Sequence, residues 1–304
     1  MNRGPLTDLV TVTLPSTVRA ETGQGGLPML AVDAPAGTAQ VYLQGAHLVS
    51  WVPRGGRPVL WMSSRAAYEP GRALRGGIPL CFPWFGPSPS PSGAGAQHGF
   101  ARTRDWTLTA VDEDGDTVGL TLSLTDSPPD RDPGWPYRFA ARYSLRIGAT
   151  LDLVLEVTNR DTVPITFEEA LHTYLAVGDV RDVTVAGLQE QAYVDKVLGG
   201  SLQPATGMPL MISTEIDRVY GQPGLITVRD PRLGRDLQVR AGNSAHAVVW
   251  NPWADKAAAM ADFGDDDWPS MLCVETANVL DRAITVAPGE AHRMTAPIEV
   301  LQPG

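Results

Sequence analysis

The chain has 304 residues, 43% of them apolar, and a formal net charge of −10 at pH 7. That length supports a sizeable core, and the acidic balance speaks against a nucleic-acid or anionic-membrane partner, because both require a basic surface. It leaves a small anionic ligand open, since diffuse surface charge is screened beyond about 8 Å at physiological salt.

No run of about 20 apolar residues occurs, so no membrane-spanning helix is expected. The opening MNRGPLTDLVTVTLP lacks the apolar region of a secretory signal. The expected location is therefore cytoplasmic, where Cys81 and Cys273 stand as buried thiols rather than a disulfide. No linker is strong enough to cut the chain, so residues 1–304 read as a single domain, expected as a monomer.

In chain order, QVYLQGAHLVSWV (40–52) alternates apolar and polar residues with period two, and a short turn follows near 63–69. RGGIPLCFPWFGP (75–87) sets an arginine and two glycines before a run of aromatics and prolines, and HGFAR begins at His98. Between them, the Pro/Ser/Gly/Ala-rich stretch 86–97 is a long loop, expected to close over a ligand. Residues 118–124, 141–147 and 151–157 again alternate, with a Pro-rich connection at 125–137. FEEALHTYLAV (167–177) reads as a strand with Glu168, Ala170, His172 and Tyr174 on one face, and Phe167, Glu169, Leu171 and Thr173 on the other. Alternation returns at 182–187, 225–230, 236–241 and 245–251. Residues 254–263 are the best helix candidate, and MLCVETANVLD (271–281) carries one carboxylate, Glu275, inside an apolar strand. Many short strands without a βαβ rhythm imply an all-β fold of packed antiparallel sheets, a β-sandwich with few short helices.

The five histidines, His47, His98, His172, His246 and His292, show no HExxH or HxH spacing, and there is no CxxC. GxSxG, P-loop and GxGxxG patterns are absent too. What remains is acid/base chemistry with arginine anchors. His172 is a candidate because small Ala170 and polar neighbours flank it on one face, as on a cleft floor, and Glu275 because it is the single carboxylate of an apolar strand; each is weighed against a satisfied structural role.

Together, RGGIPLCFPWFGP, QHGFAR, EEALHTYL, TEIDRVY, VVWNPW and CVETANV resemble, in order, the hexose-6-phosphate mutarotases (glucose-6-phosphate 1-epimerases) of the wider aldose 1-epimerase group. The resemblance implies a large galactose-mutarotase-like β-sandwich. It implies interconversion of hexose 6-phosphate anomers, with a sugar phosphate as partner and no cofactor or metal. It implies His172 as general acid and Glu275 as general base. Arg75, Gln97, Arg102 and Asp217 would contact substrate, and His98 would line the sugar site. Trp84 stands where some relatives have glutamine, and the 86–97 loop is longer than expected.

On this reading Arg75 and Arg102 face a phosphate carrying about −1.5 to −2 charge, with Gly76 and Gly77 letting backbone amides approach the same anion. Phe82, Trp84 and Phe85 would form a wall for the sugar, with ordinary core packing weighed evenly against it for Trp84 and Phe85. Arg104 alternates onto the face of Arg102, against the favoured reading of a salt bridge to Asp105 or another surface acid. Two rival readings are an aldose 1-epimerase acting on unphosphorylated hexose and a sugar-binding protein without turnover.

Overall fold

The computed structural model describes residues 6–89, 95–126, 131–132, 134–221 and 224–302. The alternating segments are strands, and every strand pairing is antiparallel, as expected of an all-β fold. A ten-stranded sheet runs from Leu210–Met211 at one edge through Leu225–Asp230, Arg235–Arg240, Leu151–Asn159 and Phe139–Ile147 to Thr107–Asp114 at the other. An eight-stranded sheet takes the order Ser201–Gln203, Tyr193–Asp195, Ile216–Gly221, His246–Asn251, Met271–Asn278, Glu169–Leu171, Leu80–Cys81, with Tyr174–Ala176 also paired to Met271–Asn278. A four-stranded meander spans Val18–Thr22 to His47–Pro53, and Ile165–Phe167 pairs with Ile284–Val286.

The two large sheets pack face to face because each lends its inward alternate residues to one core. Leu151, Leu153, Leu155 and Val157 meet Leu171, Leu175, Leu272, Val274, Ala247 and Val249 there. The eight-stranded sheet is covered on its other face as well. All eight residues of Met271–Asn278 are buried, which is why the strand is apolar apart from Glu275, Thr276 and Asn278. This second face carries the chemistry.

Two local expectations change. The helix spans Trp253–Ala259 and stops at Met260, which is extended; the chain turns there to seat the fully buried Phe263 against Trp61 and Trp250. The segment read as one strand over 167–177 is broken into Ile165–Phe167, Glu169–Leu171 and Tyr174–Ala176. Glu168 interrupts it first, its carboxylate accepting from the amides of Phe85 and Leu280. The second break is a tight turn in which the Thr173 amide donates to Leu171 O. The turn expected near 63–69 is present at Ser64–Arg65, with the Ala66 amide donating to Ser63 O. Cys81 and Cys273 are buried free thiols. Among the described residues no helix is long and apolar enough to cross a membrane.

Candidate active site

The second break does not shift the strand register. Leu171 lies opposite Thr276 before it and Tyr174 opposite Cys273 after it, so His172 stands opposite Glu275. Its Nε2 is 3.4 Å from Glu275 Oε1. Val248 pairs with Glu275 on the other side, and Asp217 comes from the next strand, opposite Trp250. The face predicted for Ala170, His172 and Tyr174 is the observed one. Ala170 packs with Cys81, Val219 and Val248, while Phe167 and Leu171 join the inter-sheet core. Glu169, on that inner side, pairs with His292 at 2.9 Å.

The His172 ring is held on three sides. It stacks on Tyr174 (centroids 4.8 Å apart, planes at 10°) and meets Trp250 and His98 edge-on at 6.2 and 5.7 Å. Burial holds this imidazole well below its usual range, and His98, Arg75 and Arg102 push the same way. Burial pushes the Glu275 carboxyl well above the carboxylate range; Asp217 adds to this, while Lys196 and Arg102 pull against it. His172 Nδ1 and Glu275 Oε2 are buried without a hydrogen-bond partner among the described residues.

Three cations surround the pair. Arg75 is held through Nη1 on Tyr174 Oη (3.0 Å) and through Nε and Nη2 on Asp262 (3.3 and 3.2 Å), which among the described residues leaves two of a guanidinium's five N–H donors unused. Arg102 follows the Phe82–Gly99 bridge in a 3-10 turn, Ala101–Thr103. Its Nη2 donates to Gln97 O at 2.7 Å, and among the described residues it forms no ion pair with a carboxylate. Lys196, not singled out in the sequence, lies 3.5 Å from Asp217 and 4.9 Å from the Phe85 ring centroid. Burial pushes the Asp217 carboxyl up, against the pull of Lys196 and Lys256.

His98 has φ +59 and closes the base of the 86–97 loop. Its amide donates to Gly86 O at 2.7 Å, and its Nδ1 accepts from the Gly86 amide at 3.2 Å. An accepting Nδ1 fixes the tautomer with hydrogen on Nε2. Burial and the nearby Arg102, Lys196 and Arg75 hold its pKa down to about 3, so the ring is neutral. Gln97 is exposed and touches this network through its carbonyl. The expected closure of the loop falls partly on residues 90–94, which lie outside the described residues.

The structure corrects three readings of the opening motif. Phe82 and Trp84 belong to the core, Phe82 amid Phe100, Trp135, Phe139 and Phe167, and Trp84 against Phe100 with its Nε1 on Ala96 O. Only Phe85 stays at the cleft, edge-on to His98 at 4.6 Å. The glycines serve a strand crossing rather than an anion. The Gly77 amide donates to Trp61 O, and at φ +61 a Cβ there would sit 2.3 Å from Leu48 O. Arg104 lies 3.9 Å over the Phe100 ring, because the 3-10 turn breaks the alternation that placed it with Arg102.

The aldose 1-epimerase family pattern matches residues 28–299. A curated Escherichia coli relative, "Putative glucose-6-phosphate 1-epimerase", is 39% identical over 83% of each chain. One of the same description from Cenchrus ciliaris is 36% identical over 84% of this chain and 79% of its own. The crystal structure of "a putative mutarotase (YeaD) from Salmonella typhimurium" superposes with a TM-score of 0.89 at 32% identity, over 96% of both chains. A family match over nearly the whole length, with relatives at this identity, leaves one assignment: the chain belongs to the aldose 1-epimerase family.

Proposed function

We propose that the chain interconverts the α and β anomers of a hexose 6-phosphate, glucose 6-phosphate first among them, with Glu275 as general base and His172 as general acid. Glu275 takes the proton of the anomeric hydroxyl while His172 protonates the ring oxygen. The C1–O5 bond opens to the aldehyde, C1 rotates about C1–C2, and the ring recloses with the two roles exchanged. Each positioned proton transfer contributes typically ~10²–10⁴-fold.

The observation that carries this reading is the His172–Glu275 pair at 3.4 Å on the cleft floor. Burial disfavours the charged form of both groups, moving the carboxyl up and the imidazole down. Arg102, with no carboxylate partner among the described residues, supports a phosphate at the open end, helped by the unused donors of Arg75. Asp217, Gln97 and His98 would bind the sugar hydroxyls.

A second reading, exchange of unphosphorylated hexoses, draws on Arg75 being already matched by Asp262. Magnetisation-transfer NMR on glucose 6-phosphate and glucose in parallel separates the two. Acceleration confined to the phosphate supports the first reading, and equal acceleration supports the second. No acceleration of either, with ligand bound, overturns both.

A further inference from the structure

We infer that His172, Cys273 and Glu275 form a binding site for a thiophilic divalent cation of the zinc class, and that the bound ion blocks the acid/base pair. One donor atom from each of the three lies within 4.8 Å of the others, and all three residues are buried. The strand pattern explains the convergence. Cys273 and Glu275 are two apart on one strand and so share a face, while His172 stands opposite Glu275 on the neighbouring segment.

The distances suit a metal better than a hydrogen bond. The His172 Nε2–Glu275 Oε1 separation of 3.4 Å exceeds the roughly 2.7–2.9 Å of a charge-assisted hydrogen bond. Tetrahedral zinc with bonds of about 2.0–2.1 Å to nitrogen and oxygen sets those two atoms about 3.3 Å apart. With a zinc–sulfur bond of about 2.3 Å the thiolate sits about 3.6 Å from each. The three donor atoms already lie within 4.8 Å of one another, so small side-chain movements bring Cys273 Sγ into the set.

A second observation points the same way: His172 Nδ1 and Glu275 Oε2 are both buried without a partner among the described residues, so neither side chain is locked by other bonds. Thiolate, imidazole and carboxylate together select zinc over magnesium or calcium. On binding, the Cys273 thiol and the Glu275 carboxyl both release their protons to solvent, and the resulting thiolate and carboxylate neutralise the ion's two charges. Three protein ligands leave a fourth position for water. The ion occupies the atoms that would otherwise move protons, so exchange stops.

Only the blocking step rests on the proposed function; metal binding does not. Cobalt(II) titrated into the full chain should produce a thiolate-to-cobalt charge-transfer band. That band should persist in Cys81→Ser, whose thiol lies two strands away, and vanish in Cys273→Ser with an unchanged circular dichroism spectrum. Absence of the band in the wild type, or its survival in Cys273→Ser, overturns the site. If Cys273→Ser does not fold, Glu275→Gln serves instead, with cobalt affinity expected to fall at least about tenfold; unchanged affinity overturns the site. Zinc at ten times its Kd should leave about one eleventh of the exchange rate, restored by a chelator. Undiminished exchange in zinc-loaded protein refutes the blocking. A chain that accelerates no hexose exchange sinks the proposed function, and the cobalt titrations still decide the site.

Discussion

Replacing Arg102 by leucine separates a phosphate-binding role from a structural one. Arg102 is half-buried beside the cleft, has Nη2 on Gln97 O, and forms no ion pair among the described residues. Its charge is therefore available to a ligand. Coulomb attraction at about 4 Å and an effective dielectric near 20 amounts to about 4 kcal/mol, which desolvation of the phosphate partly offsets. Hydrogen bonds to charged groups contribute a net of about 1.5–3 kcal/mol, or roughly 10- to 150-fold at about 1.36 kcal/mol per decade. The assay is kcat/KM for anomer exchange of glucose 6-phosphate and of glucose, in wild type and Arg102→Leu. Loss of the tie to Gln97 should affect both sugars alike and cancel in the ratio. The expected result is a fall of about 10- to 150-fold in the preference for the phosphate ester, with Arg102→Lys between the two. If both sugars lose equally, Arg102 is a scaffold for the 86–97 loop and the phosphate assignment fails.

Glu275→Gln and His172→Asn should each slow exchange by about 10²–10⁴-fold, and the double variant should lose little more than either alone; additive losses would show two independent sites. His47 is fully buried with Nε2 on Gly76 O, and burial holds its pKa to about 4. The unfolded chain thus takes up this proton first. Its penalty is absent above about pH 6.5, grows as pH falls toward 4, and reaches about 2 kcal/mol at pH 5. Urea unfolding at pH 7 and pH 5 should show a smaller drop for His47→Gln than for wild type, and equal drops would refute the assignment. Gly77→Ala forces a side chain into φ +61 against Leu48 O. It should lower stability by at least about 1–3 kcal/mol, read as a fall in Tm.

The sheets were legible because period-two alternation follows directly from one buried face per strand, as at 118–124, 141–147 and 151–157. Glu275 was legible as the single ionisable group of an apolar strand, and His172 from its place beside small Ala170 on a polar strand face. Their opposition was not, since it depends on a pairing between segments about a hundred residues apart. Phe82, Trp84 and Phe85 could not be sorted by type, because core and cleft both accept aromatics and only the tertiary path of the backbone decides which ring faces where. The glycine pair suggested an anion cradle, yet the same residue type serves a tight crossing, and the Gly77 amide is already bonded. Lys196 and Asp262 enter from outside the recognised motifs. Tertiary packing alone brings them to the cleft, although one of only two lysines among so many arginines was a signal to be followed.

The cations around His172 act on its proton as well as on any ligand. Burial is the main force keeping the imidazole unprotonated, and Arg75 and Arg102 reinforce it. A phosphate dianion settling on those guanidinium groups would cancel the reinforcement and raise the imidazole's affinity for a proton. On the proposed reading, the substrate's remote charge then arms the acid that opens its own ring. Discrimination against the unphosphorylated sugar would appear in kcat and not in KM alone, so the phosphate would work as a switch as much as a handle.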